Sequence, residues 1–195
     1  METEHKGEIE VIVPSSKNLT KTHTRSKQDL PKYWSKEEIN QKLDDVKNPR
    51  HKMFLVFLWM SGTRVSEALN VQKKDIDFKN YTIRIRWLKS RKYNERNIPM
   101  HPTLKAILEA YTGAMNQEAQ IFPFGRVRAW QIVRKCMGGH PHQMRHSFAV
   151  NWLRQGADII TLHRILGHKN IQHTMEYLKI VPSDQGKELI KIQFT

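Results

Sequence analysis

The chain has 195 residues, enough for one or two domains with a real hydrophobic core, and 33 Lys plus Arg against 19 Asp plus Glu leave it at +14. Its longest apolar run, Met53 to Met60, is far short of the roughly 20 residues of a membrane span, and no apolar segment follows Met1. One cysteine, Cys136, excludes an intramolecular disulfide framework, so a cytoplasmic protein without a membrane partner is expected.

Residues 1–30 carry five basic and five acidic side chains and read as a polar tail or linker. A domain over residues 31–182 therefore holds the whole surplus, and residues 183–195 form a C-terminal tail. Ser35 with Glu38 makes a capping box that opens a helix through about Val46. Pro49 opens the next helix, with Met53, Phe54, Phe57 and Leu58 in the core and Gly62 as its stop. Thr63 is expected to cap a short helix holding Arg64 and Leu69. Period-two alternation then marks Asp75–Phe78 and Tyr81–Trp87 as strands, with a third at Arg96–Met100 after a basic turn. Helices follow at about 103–112, 126–136, 142–155, 159–166 and 171–178, with Asp158 and Asn170 as N-caps. The fold class is α+β, mainly helical with a small three-stranded antiparallel sheet.

The charge is concentrated. Arg84 to Arg96 holds six basic residues and one acid, while no acid lies between Glu118 and Asp158. Such runs suit a polyanion, most simply double-stranded DNA, whose phosphates exchange their counterions for Lys and Arg. Arg86, Arg91, Lys92, Arg126 and Arg128 are the expected DNA contacts. Trp87 and Trp130 are expected to be buried, with DNA contact as the alternative. His140, His142, His146, His163, His168 and His173 lack the Cys or carboxylate partners of a usual metal set, so no metal is expected.

Three clusters carry chemistry: Gly62-Thr-Arg-Val-Ser-Glu-Ala-Leu69, His142-Gln-Met-Arg-His146, and Leu166-Gly-His-Lys-Asn-Ile-Gln-His-Thr-Met-Glu-Tyr177. In this order, with a Lys-rich hairpin between the first two, they resemble the catalytic domain of the tyrosine recombinases (phage integrases) from about Trp34 to Ile180. The resemblance implies a site of Arg64, Lys89, His142, Arg145, His168 and Tyr177, with Lys92 as the alternative to Lys89. It also implies strand cleavage through a 3′-phosphotyrosyl link without metal or cofactor. In that scheme the two arginines clamp the phosphate, His168 adds a donor, His142 serves the tyrosine proton and the hairpin lysine protonates the leaving oxygen. Glu67 is expected to orient an arginine or close a cap, and His146 to pack or hydrogen-bond behind the site.

Family members carry a helical core-binding domain before the catalytic one. The chain is thus expected to be a fragment or to rely on a separate core-binding domain or accessory protein. A DNA-dependent homo-oligomer, joined through the apolar tail Leu189, Ile190, Ile192 and Phe194, is the further expectation. A non-catalytic DNA-binding regulator on the same fold, and a topoisomerase of type IB, are the alternative functions.

Overall fold

In the computed structural model, which describes residues 31–89 and 92–181, eight helices and one sheet are assembled around a single core. Helix α1 (Lys36–Asp44) begins with the capping box: Glu38 N donates to Ser35 Oγ and Ser35 N to the Glu38 carboxylate. Helix α2 (Pro49–Ser61) starts at Asn48, whose side chain accepts from His51 N, and ends at Gly62 with φ +63. Met53, Phe54, Phe57 and Leu58 are all buried there.

Helix α3 (Val65–Leu69) differs from expectation at its start. Thr63 is not the cap; its hydroxyl lies 2.9 Å from Ser61 Oγ. Arg64 takes the N-cap position instead, and its backbone N–H is held by the Glu67 carboxylate at 2.9 Å.

Strands β1 (Ile76–Asp77), β2 (Thr82–Lys89) and β3 (Lys92–Pro99) form the antiparallel sheet in that order. The third strand starts four residues before the expected Arg96, because pairing with β2 from Thr82↔Pro99 to Lys89↔Lys92 recruits polar residues that show no alternation of their own. Ile83, Ile85 and Ile98 enter the core. On the opposite face Arg84 and Arg86 both grip the buried Asp75 carboxylate.

Helices α4 (Pro102–Thr112), α5 (Arg126–Met137), α6 (Pro141–Arg154) and α7 (Ile159–Leu166) lie close to the expected ranges. Asp158 caps α7 through Thr161 N. The expected helix 171–178 is split into α8 (Gln172–Met175) and a 3-10 turn, Glu176–Lys179, that carries Tyr177. Asn170 accepts from Gln172 N, but Ile171 and not the expected Asn170 occupies the N-cap position of α8. Trp130 also departs from expectation: it is 42% exposed on α5 rather than buried, while Trp87 lies under the Arg96 guanidinium. The expected segments 1–30 and 183–195 lie outside the described residues. No described helix is long and apolar enough to cross a membrane.

The end of α2 meets α6 at Gly62. A Cβ there would sit 2.3 Å from the Phe148 ring, and the left-handed backbone disfavours any side chain. Gly62→Ala should therefore cost about 2–4 kcal/mol in chemical denaturation, combining overpacking with backbone strain. Gly156→Ala, with the same handedness but open space around it, should cost only about 1 kcal/mol. Equal losses at the two positions would refute the packing argument.

Candidate active site

The site grows from one buried carboxylate. Glu67, on α3 and 2% exposed, accepts from Arg64 Nη1 at 2.8 Å. Arg96, reaching across from β3, gives it a bidentate pair at 3.1 and 2.9 Å. Arg145 Nη1 stands 3.9 Å away. Burial pushes the Glu67 pKa upward, but the hydrogen bonds and charge of Arg96, with the Arg64 N–H and Arg145, outweigh it and leave the pKa lowered. The carboxylate is therefore ionised at neutral pH and fixes two guanidiniums directly.

Arg145 is anchored from α6. It donates through Nη1 to Gly62 O at 2.9 Å and through Nη2 to Leu166 O, tying the ends of α2 and α7 together. Burial first, then the neighbouring Arg64, pushes its pKa down to about 9, so it stays charged at pH 7. Arg96 Nε donates to Ile165 O on the same helix end. Gly167 follows, with φ +61, and a Cβ there would meet the Arg96 guanidinium at 3.0 Å. That close approach delivers His168 to the site.

Arg64, His142 and Arg145 line one cavity of about 390 Å³, together with Arg126, Trp130 and His140. A second groove, of about 740 Å³, runs between α1, the start of α2 and α5. Lys42, Lys47, His51, Arg128, Arg134 and Lys135 line it. Trp130 borders both, and Arg134 stacks on its ring. Both surfaces can hold anions.

Tyr177 and His168 are not among the residues lining the smaller cavity, but both lie in the field of Arg145 and Arg64. Tyr177 is 3% exposed; burial raises its pKa, and the two arginines oppose the rise. Its hydroxyl lies 2.7 Å from His146 Nδ1. The hydroxyl is thus paired with His146 rather than with His142, which stands one helical turn earlier, the rings 6.4 Å apart. Burial, then His142, pushes the His146 pKa down to about 4; burial, then Arg145, takes His168 to about 3. Both rings are neutral at pH 7.

The remaining expected contacts divide. Arg86 is bound to Asp75 Oδ2 and Gln72 Oε1 on the sheet rather than gathered with the arginines around Glu67. Lys89 and Lys92 face each other in the strand register. Their side chains, and Arg91 as a whole, lie outside the described residues. Arg96 is the residue around the buried carboxylate that sequence reasoning missed, whereas His146, expected to pack or hydrogen-bond behind the site, lies against the Tyr177 hydroxyl. Arg96 is one basic residue in a run of six, and only its pairing within β3 opposite the buried Ile85 distinguishes it.

Glu67→Gln should lower folding stability by about 3 kcal/mol, because it leaves buried guanidiniums without their counter-charge. Glu67→Asp should lose less; a neutral outcome for Gln in denaturant titration would refute the assignment. His146 and His168 have folded pKa values below the ordinary 6.5, so the unfolded chain takes up their protons first. Their contribution is complete above about pH 6.5 and is lost as pH falls toward 4. In His146→Gln the fall in thermal midpoint between pH 6.5 and 4.5 should be shallower than in wild type.

This geometry has relatives. The model of the phage integrase family matches residues 32–183. The putative integrase/recombinase y4eF of Sinorhizobium fredii is 30% identical over 167 residues, covering 78% of this chain and 66% of that protein. Tyrosine recombinase XerA of Pyrococcus horikoshii is 30% identical over 166 residues, covering 77% and 58%. The chain thus spans less than two thirds of either relative. Among solved structures, XerA recombinase superposes with a TM-score of 0.67 at 22% identity, over 89% of this chain and 68% of that one. The catalytic domain of bacteriophage HP1 integrase gives 0.64 at 21% identity, over 82% and 94%. With the family model covering nearly the whole described domain, the chain belongs to the phage integrase family, the tyrosine recombinases.

Proposed function

We propose that this chain is the catalytic domain of a site-specific DNA recombinase that breaks and rejoins strands through Tyr177. One observation carries the reading: a tyrosine hydroxyl lies in the field of Arg64 and Arg145, two guanidiniums organised by one buried carboxylate. Two fixed forks suit a phosphodiester whose non-bridging oxygens gain charge in the transition state. In the proposed reaction Tyr177 Oη turns from His146 toward the cavity and attacks phosphorus. The bond from phosphorus to the 5′-oxygen breaks, leaving a 3′-phosphotyrosyl link.

Before it turns, Tyr177 leaves its proton on His146 Nδ1, already at hydrogen-bonding distance, and the arginines and the forming bond to phosphorus drive a transfer that the ring's low basicity would not drive by itself. The departing 5′-oxygen takes a proton from the hairpin lysine, Lys89 or Lys92. The free 5′-hydroxyl of either strand can reverse the step, so the bond energy is conserved and no nucleotide cofactor is required. His168 and His142 complete the set as donors to the phosphate. The duplex is read as extending from the cavity across Trp130 into the groove of Arg128, Arg134 and Lys135. Arg126 supports the near end. Assembly into a DNA-dependent oligomer, and clamping by a core-binding domain or accessory protein, belong to the same proposal.

A second reading, a DNA-binding regulator, draws on the near-complete burial of Tyr177. One experiment separates the two. Nicked suicide duplexes from a pool of candidate sites are incubated with protein and chelator, and adducts are resolved on a denaturing gel. Wild type should form an adduct and Tyr177→Phe none. Binding without adduct for both proteins would favour the regulator. Affinity should in either case fall steeply with salt, about tenfold or more between 50 and 200 mM for several phosphate contacts.

A further inference from the structure

The described residues contain one hydroxyl shared by two histidines, and neither it nor the outer ring has a role in the reaction as set out above. Thr174, on α8, is fully buried. Its Oγ1 lies 2.9 Å from His168 Nδ1 and 3.2 Å from His163 Nδ1. The left-handed turn at Gly167 folds α8 back toward the end of α7, which brings the three side chains together.

A threonine hydroxyl has a single hydrogen. It also has two lone pairs, so with neutral rings it can donate to one ring and accept from the other, in either order, or accept from both and donate its own hydrogen elsewhere, which puts the His168 hydrogen on Nδ1. If His163 Nδ1–H donates to Thr174 and Thr174 donates to His168 Nδ1, the hydrogen of His168 sits on Nε2. The reverse arrangement puts that hydrogen on Nδ1 and leaves Nε2 a bare acceptor. Phosphate oxygens only accept, so only the first arrangement lets a neutral His168 assist a phosphodiester.

We propose that Thr174 and His163 are positioning residues that hold His168 with its hydrogen on Nε2, ready to donate to a non-bridging phosphate oxygen. The proposal rests on the reading of Arg64, Arg145 and Tyr177 as a phosphoryl-transfer site. Burial and the two neighbouring arginines support it by keeping His168 uncharged, so that placement of one hydrogen decides what the ring can do. His173, whose ring stands edge-on to His168 at 6.0 Å, has no hydrogen bond to either member of the relay among the described contacts.

The test uses the full chain with 15N-labelled histidine at pH 7, comparing wild type, Thr174→Val and Thr174→Ser by two-bond nitrogen–proton correlation. Wild type should show His168 protonated on Nε2 alone and His163 on Nδ1. Thr174→Val keeps the shape without the hydroxyl and should move His168 to a mixture of tautomers; Thr174→Ser should restore the wild-type pattern. In the suicide-duplex assay Thr174→Val should slow adduct formation at least about tenfold, as other misplaced catalytic tautomers do, with DNA affinity unchanged within about twofold. Thr174→Ser should cleave at close to the wild-type rate.

Wild-type His168 protonated on Nδ1 or on both nitrogens overturns the proposal without any variant. So does an unchanged tautomer in Thr174→Val, or a serine variant as slow as the valine one. If wild type forms no adduct with any duplex, the recombinase reading fails, while the spectra still decide where the hydrogen lies.

Discussion

The carboxylate of Glu67 is the constraint on which the site depends. A lone buried carboxylate would cost several kcal/mol, and its burial is tolerated only because guanidiniums surround it. The relation also runs the other way. Arg145 is already held by the Gly62 and Leu166 carbonyls, whereas Arg64 is partly exposed and is held by Glu67. Glu67 thereby fixes Arg64 beside an anchored Arg145 and offsets their mutual repulsion. Its bond to the Arg64 N–H also makes it the start of α3, so one residue sets a helix terminus and the geometry of the clamp together.

Arg96 extends that constraint to the rest of the fold. It links β3 to Glu67, to the Ile165 carbonyl and to the face of Trp87. Hairpin, short helix and the His168 turn therefore share one guanidinium. Lys cannot replace it, because a bidentate pair, a third donor and a planar face are all used at once. His146 and His168 follow a complementary principle: in a neighbourhood this cationic they stay uncharged, and what matters is which nitrogen carries hydrogen.

Much of this was legible in the linear chain where the determinants are local. Ser35 with Glu38, Pro49 and Asp158 mark helix starts because a capping side chain acts within three residues. The buried face of β2 follows from its period-two alternation, and the burial of α2 from its continuous apolar run. The early start of β3 was hidden, since Lys92 to Glu95 become strand only through pairing with β2. Likewise the partner of Tyr177 lies 31 residues away, and His142 and His146 sit on neighbouring turns of one helix. Spacing cannot choose between them; the angle at which the 3-10 turn meets α6 does. Thr63, a good capping residue by type, lost that position because Glu67 captured the next N–H.

The three guanidiniums around a single carboxylate also leave an electrostatic account that the protein does not close by itself. Arg64, Arg96 and Arg145 bring three positive charges to the one negative charge of Glu67, and His146 and His168 contribute none at neutral pH. The excess is a standing repulsion that weakens the folded chain in the absence of an anion. Any anion seated there relieves it, and by mass action raises the stability of the whole domain in proportion to the logarithm of its concentration. Folding and substrate capture are in this sense one equilibrium: the domain reaches its full stability only with an anion seated between its arginines.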